Sequence, residues 1–325
     1  MVKLNRIFQF LKSDIWNIRI ANLSDTRSFI LKQLRILLLA FHRLRKDQCS
    51  SKASALTYYS ILSIIPLLAI AFGIAKGLGL QNLFHKQVLD NFTAQKEVLT
   101  PVMDYAIKLL DKTQGGAVAV IGVIVLLWVI FSLIQNIEKS FNQIWQLYNS
   151  RNIGKIFSDY ITILLIGPMF ILMSSMVAFL SSQLINFISE DSLFFIVNPL
   201  ANGMMHLLPY VLMWILFSFV IIFIPNTRVR FKSGIIAGII AGSIYQMTQW
   251  GYIEFQVGVA KYNAIYGSFA AIPLFIVWLQ ISWLILLFGV EISYAHQNVE
   301  AYEFARDCTH ISPKHNRLLT MMVMQ

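Results

Sequence analysis

One charged residue inside a long apolar run is the first candidate functional residue of this chain. The run from Ser268 to Ala295 contains one carboxylate, Glu291, and no other formal charge. A helix of that length covers the roughly 30 Å hydrocarbon core of a bilayer. An ionised side chain is costly there and usually has a partner or a task. Because Glu291 lies near one end of the run, we expect an ion pair with a basic group such as Arg228 or Arg230, ahead of a proton-carrying role.

Two prolines interrupt apolar runs in similar surroundings, Pro66 within SIIPLL and Pro273 within AAIPLF. Each removes a backbone hydrogen bond from a helix, and broken helices form substrate sites in many transporters. Tyr58, Tyr59 and Ser63 lie one or two turns before Pro66. Together with the carboxylate described above, these five residues are the predicted cavity or transport region. A packing kink is the commoner meaning of a membrane proline and stays as the alternative.

Motifs of soluble enzymes do not occur in the sequence. It contains no glycine-rich phosphate loop, no His-Glu-x-x-His and no closely spaced cysteine pair. The 6 histidines are scattered along the chain, so no set of metal ligands is expected to converge. We therefore predict no catalytic residue, no metal site and no cofactor, and we expect that the protein is not an enzyme.

Membrane-spanning helices are the elements that would position these residues. With 57% apolar and 13% charged residues, the chain has too little polar surface for a soluble body. Six apolar runs are long enough to cross a bilayer: Ala53–Ala75, Ala117–Ile134, Tyr160–Phe187, Met204–Ile224, Ser233–Ile253 and Ser268–Ala295. The sequence predicts an all-α integral membrane protein, with a six-helix transmembrane domain over residues 53–295.

The basic residues predict the orientation of these spans. Twenty of the 26 Lys and Arg lie in the N-terminal segment, the second and fourth loops and the C-terminal tail. Because basic loops stay on the cytoplasmic side, we expect both termini in the cytoplasm.

Residues 1–52 form a basic, amphipathic segment that we expect at the cytoplasmic interface. Within it, the stretch Ser28–Lys46 is apolar at its centre, but it is too short to span. We expect it to lie along the leaflet, held by anionic lipid headgroups; an ordinary solvated charged face is the alternative. The net charge of +10 is concentrated beside the membrane, so membrane lipids are the predicted partners and nucleic acid is not.

The fifth predicted span begins with two small-xxx-small steps, at Gly234, Gly238 and Gly242. Such steps clear one helix face and let a neighbouring helix approach closely. We interpret them as packing positions within the chain rather than as a dimer interface, and an oligomer stays open.

Four stretches together resemble one known family: ALTYYSILSIIPLL from Ala55, SFNQIW from Ser140, FIPN from Phe223, and YGSFAAIP from Tyr266 with the GVE that ends at Glu291. They look like the YihY/BrkB family of bacterial inner-membrane proteins. The resemblance implies six spans and a multi-pass location in the inner membrane. Members have carried the label ribonuclease BN, which the missing catalytic cluster does not support here. The family is also linked to envelope lipid export and to cation/proton exchange.

The function predicted from these features is transporter-like handling of an envelope lipid or amphiphile. A cation/proton antiporter and a non-transporting membrane scaffold are the alternatives.

Residues 296–325 are a predicted cytoplasmic tail, in which Ser312 and Pro313 resemble the start of a helix. We expect this helix to begin a C-terminal module that is truncated in this chain.

Overall fold

The computed structural model describes residues 25–91, 95–112, 117–147, 194–261 and 271–308. Within these ranges the chain is helical and contains no strand. The helices are α1 (Asp25–Lys46), α2 (Cys49–Gly77), α3 (Gln81–Asn91), α4 (Lys96–Lys112), α5 (Ala117–Ile144), α6 (Phe194–Phe223), α7 (Phe231–Lys261) and α8 (Ala271–Cys308). The predicted all-α class therefore agrees with the described part of the chain. Residues 1–24, the third predicted span and the tail from residue 309 lie outside it.

Two of the described helices are long and apolar enough to cross a membrane, Cys49–Gly77 and Ala271–Val299. They coincide with the first and last predicted spans. Helices α5, α6 and α7 occupy the positions of three more predicted spans. Among the described residues, however, only α2 and α8 pass both tests of length and hydropathy. Six transmembrane helices therefore stay a prediction.

The longest described helix, α8, lies at the centre of the packing and contacts α1, α2, α6 and α7. Helix α2 also packs against α4 and α5. The largest buried cluster joins these elements through Ile36, Leu56, Phe141, Ile221 and Leu287. Helix α5 continues ten residues past the end of its apolar run because Ile137, Phe141 and Ile144 remain buried in this cluster.

Helix α1 packs onto the bundle along one face, and its position at the cytoplasmic interface stays a prediction. It packs against α8 and buries Ile36, Leu39 and Ala40, together with Arg35 and Arg43. These positions follow the three- and four-residue spacing of one helix face. The opposite face exposes large apolar side chains, Leu34, Leu37 and Phe41. The apolar centre of this stretch therefore serves two surfaces, one against the bundle and one directed outward.

The glycine steps of α7 lie against α6. A Cβ atom added at Gly238 would overlap Ser218, whose backbone nitrogen would be 2.6 Å away. Added at Gly234 it would overlap Ile222, and at Gly242 it would lie 2.9 Å from a ring carbon of Trp214. Contacts within the chain thus occupy this face of α7. They are possible because glycine has no side chain at these three positions.

Candidate functional site

The side chain of Arg43 bonds to groups from three other segments of the bundle. Its Nε donates to Glu291 Oε2 at 2.9 Å. Its Nη2 donates to Asp47 Oδ2 at 2.7 Å and to the carbonyl of Ile144 at 2.8 Å. The guanidinium carbon lies 4.0 Å from the centre of the Tyr294 ring. We call these five residues, with Cys49, the Arg43 cluster.

Two helix ends position hydrogen-bond partners of Arg43. The turn between α1 and α2 passes through Gln48, which adopts a left-handed conformation with φ 51°, and so α2 starts directly beside Asp47. At the end of α5, Gln146 has φ 58°, and the amide of Leu147 donates to the carbonyl of Asn142. This C-cap leaves the Ile144 carbonyl for Arg43, because the last carbonyls of a helix lack partners within the helix.

The Arg43–Glu291 pair is shielded from solvent, and its polar atoms are hydrogen-bonded within the protein. Both side chains are 0% exposed, and the second oxygen of Glu291 accepts a weaker hydrogen bond from Cys49 Sγ at 3.7 Å. A buried ion pair whose donors and acceptors are this well satisfied is costly to break. The geometry is that of a fixed junction between α1, α5 and α8.

The predicted partner of Glu291 was wrong. Arg228 and Arg230 are exposed on the loop between α6 and α7, and Glu291 pairs with Arg43 instead. The sequence contained a pattern that points to Arg43 as a buried residue. It follows Ile36 and Ala40 at four- and three-residue spacing, on the same face of α1.

Glu138, near the end of α5, belongs to a second polar junction. Its Oε1 accepts from Asn142 Nδ2 at 3.4 Å. The side-chain oxygen of Asn142 then accepts from the backbone amide of Asn226 at 2.8 Å. The end of α5 is thereby fixed to the loop that joins α6 and α7.

Away from the Arg43 cluster, α2 and α8 are bridged by neutral polar side chains. Gln280 Nε2 donates to Ser54 Oγ at 3.0 Å, and Trp283 Nε1 donates to Ser60 Oγ at 2.9 Å. Ser54 is exposed, and the other three are half-buried. We call Ser54, Ser60, Gln280 and Trp283 the α2–α8 seam.

Tyr58 and Tyr59 lie beside the seam. Tyr58 is 60% exposed, and its ring meets that of Tyr59 edge to face with centres 5.5 Å apart. Ser63 is buried, and its hydroxyl donates to the carbonyl of Ser60 at 3.1 Å. Tyr58 therefore faces outward next to the seam and Tyr59 is half-buried, whereas the hydroxyl of Ser63 bonds to the helix backbone.

The structure does not bring the predicted cavity residues into one place. Glu291 contacts Cys49 at the start of α2, and Pro66 lies about 25 Å farther along that helix. Pro273 lies about 27 Å from Glu291 along α8. The two prolines are thus at the opposite end of this antiparallel pair from the carboxylate.

At Pro66 the structure does not support a site formed by a broken helix, and the alternative, a packing kink, stays open. Helix α2 continues through Pro66 as one element, with the proline buried. Packing against neighbouring helices makes such a proline tolerable in a membrane helix. Pro273 lies at the start of the described part of α8, directly after residues 262–270, which are outside the described ranges, so the prediction for Pro273 stays a prediction.

Within the described ranges, no three His, Cys, Asp or Glu side chains are grouped so that they could hold a metal ion. Two features of the described part of the bundle stand out: the buried Arg43–Glu291 ion pair and the partly exposed hydroxyl, amide and indole groups of the α2–α8 seam.

Comparison with known proteins adds a family match and several relatives. A family model described as Virulence factor BrkB matches residues 40–309. A UPF0761 membrane protein of Mannheimia succiniciproducens is 28% identical over 82% of this chain and 91% of its own length. One from Photobacterium profundum is 27% identical over 77% of each chain. A relative from Halorhodospira halophila is 28% identical, but this chain spans only 55% of its length. No solved structure matches the chain.

Proposed function

Because the chain belongs to the BrkB family of membrane proteins, we propose that it is a multi-pass protein of the bacterial inner membrane, with six spans and both termini in the cytoplasm. The distribution of basic residues supports this orientation. It puts the Arg43 cluster at the cytoplasmic end of α2 and α8. The α2–α8 seam then extends from that end toward the middle of the bilayer, because Ser60 lies about 16 Å along α2 from Cys49.

The proposed activity is the handling of an envelope lipid or another amphiphile, without a catalytic step. One observation carries it: the α2–α8 seam presents hydroxyl and amide groups on the outer surface of helices that should face hydrocarbon. Ser54 and Tyr58 are exposed there, next to the exposed apolar side chains of Ile61 and Leu62. Polar side chains in a membrane usually face the bundle interior or mark a pathway. A polar headgroup could follow such a seam while its acyl chains stay in the surrounding lipid.

Lipid movement in proteoliposomes tests this activity. The protein would be reconstituted with a phospholipid that carries a fluorescent headgroup, and dithionite would be added to bleach the outer leaflet. We expect the wild-type protein to expose inner-leaflet probe to dithionite faster than protein-free vesicles do. The Ser54→Ala, Gln280→Leu double variant should slow this exposure severalfold.

A matched control comes from another helix. Thr248 on α7 is half-buried, and its hydroxyl donates only to its own helix, to the carbonyl of Ile244 at 2.8 Å. The Thr248→Ala variant should therefore move lipid like the wild type. Movement no faster than in protein-free vesicles, or equal loss in both variants, would contradict the proposal.

The rival activity, cation/proton exchange, would require Glu291 to bind and release protons. Its pairing with Arg43 in a fully buried site argues against such a cycle. The Glu291→Gln variant separates the two activities: an exchanger would lose its pH-gradient signal in vesicles, whereas a lipid-handling protein would lose lipid movement only to the extent that folding fails. A scaffold would show neither signal.

A further inference from the structure

Charge is segregated at the end of the bundle that holds the Arg43 cluster. Among the side chains described there, the carboxylates are directed inward: Asp47 and Glu291 bond to Arg43, and Glu138 bonds to Asn142. The exposed charges are basic, and they are Arg45, Lys46, Lys139, Arg228, Arg230 and Lys232. The described surface at this end is therefore strongly cationic.

Half of these exposed charges lie on the loop between α6 and α7 and in the first turn of α7. Arg228, Arg230 and Lys232 fall within five residues, and Phe231 among them is 66% exposed. We call these four residues the cationic loop. Exposed cations around an exposed aromatic ring are typical of a surface that contacts lipid at headgroup depth.

Hydrogen bonds from α8 hold the cationic loop in one conformation. Gln297 Oε1 accepts from the backbone amide of Arg230 at 3.0 Å, and Gln297 Nε2 donates to the carbonyl of Arg228 at 3.3 Å. One side chain thus holds the loop backbone at two points. Holding the loop in place lowers the entropy that is lost when a ligand binds.

A second contact from α8 holds the start of α7. The His296 imidazole hydrogen-bonds to the Ser233 hydroxyl, with Nδ1 and Oγ 2.8 Å apart. The first turn of α7 contains no acidic residue. Cations at a helix N-terminus oppose the helix dipole, so helix stability does not account for them.

We propose that the cationic loop binds the phosphate groups of anionic phospholipids in the adjacent leaflet, with Phe231 inserted among the acyl chains. The ring and the cations occupy the same loop, which suits a molecule with a phosphate above a hydrocarbon chain better than it suits nucleic acid. The proposal requires only that the protein lies in a membrane. It stands apart from lipid movement along the α2–α8 seam.

Extraction into polymer nanodiscs, followed by mass spectrometry of the retained native phospholipids, tests the proposal. The ratio of anionic to zwitterionic lipid around the wild-type protein should exceed the bulk membrane ratio at least about twofold, since each basic residue near the surface attracts anionic lipid. Neutralising the loop with Arg228→Gln, Arg230→Gln and Lys232→Gln should return the ratio to the bulk value.

A matched variant removes three charges from the same end but outside the loop. The triple change Arg45→Gln, Lys46→Gln, Lys139→Gln should keep most of the enrichment if the loop is the site. The Gln297→Ala variant, with all charges retained, should lower the enrichment because the loop loses its support.

Several results would overturn the proposal: a bulk-like ratio around the wild-type protein, an equal loss of enrichment in both triple variants, or nucleic acid retained in place of lipid. Size-exclusion elution would check that each variant is folded. An intact enrichment without lipid movement would support this proposal and contradict the proposed function, so the two failures can be told apart.

Discussion

Two helix pairs of this bundle are held together by opposite means. Helices α6 and α7 approach through glycine, so that the backbone of Ser218 lies where a Cβ of Gly238 would be. Helices α2 and α8 are joined by polar side chains: Gln280 donates to Ser54, Trp283 donates to Ser60 and, at one end, Cys49 donates to Glu291. At these glycines the first pair is in backbone contact. The second leaves polar groups on its surface, which is why we place the proposed function there.

Removing Arg43 should have the largest effect on stability. The Arg43→Leu variant leaves the carboxylates of Glu291 and Asp47 without their donor, and breaking a buried ion pair costs about 3–5 kcal/mol. We expect a much lower unfolding temperature in detergent. Arg43→Lys retains the charge without the planar fork of donors, so its unfolding temperature should fall less than that of Arg43→Leu. Wild-type stability in Arg43→Leu would show that the Arg43 cluster does not hold α1, α5 and α8 together.

Closing the glycine step should rank second. Gly238→Ala forces α6 and α7 apart because the new methyl group meets backbone atoms, and overpacking of this kind costs about 1–3 kcal/mol. Gly251 lies on the same helix with nothing within 4 Å of an added Cβ. Gly251→Ala is thus the control, and it should be neutral or slightly stabilising. Thermal unfolding of the two purified variants measures the difference; equal stability would contradict close α6–α7 packing.

Changes in the α2–α8 seam should affect stability least. Hydrogen bonds between membrane helices contribute about 0.6 kcal/mol each on average, so Ser54→Ala with Gln280→Leu should unfold within about 1 kcal/mol of the wild type. The same double variant is expected to slow lipid movement severalfold. A fall in stability as large as that of Gly238→Ala would make the seam a packing device like the α6–α7 contact and would remove the contrast between the two pairs.

Parts of this structure could be predicted from the sequence because they depend on local pattern. Apolar runs indicated the positions of α2 and α8, and the amphipathic ends that extend helices past those runs were harder to see. The GxxxG steps pointed to close helix contact, since the absence of a side chain has the same consequence wherever the neighbour comes from.

The partners across the bundle could not be predicted in the same way. Glu291 and Arg43 are 248 residues apart in the chain, and charge alone made Arg228 and Arg230 equally reasonable partners. The choice depends on how α1 docks on α8, which buries Arg43 while the loop arginines stay outside. The effect of Pro66 was hard to predict for a related reason, because packing around it lets α2 continue as one helix.

The central claim is that a lipid headgroup contacts the α2–α8 seam below the membrane surface. A phospholipid with a photoreactive group in its headgroup, reconstituted with the protein and cross-linked by light, tests this claim most directly. Peptide mass spectrometry should find labels at Ser54, Tyr58 and Gln280, well above those at the exposed α7 residues Met247 and Trp250. Labels confined to the helix ends, with the seam no more labelled than α7, would contradict the account.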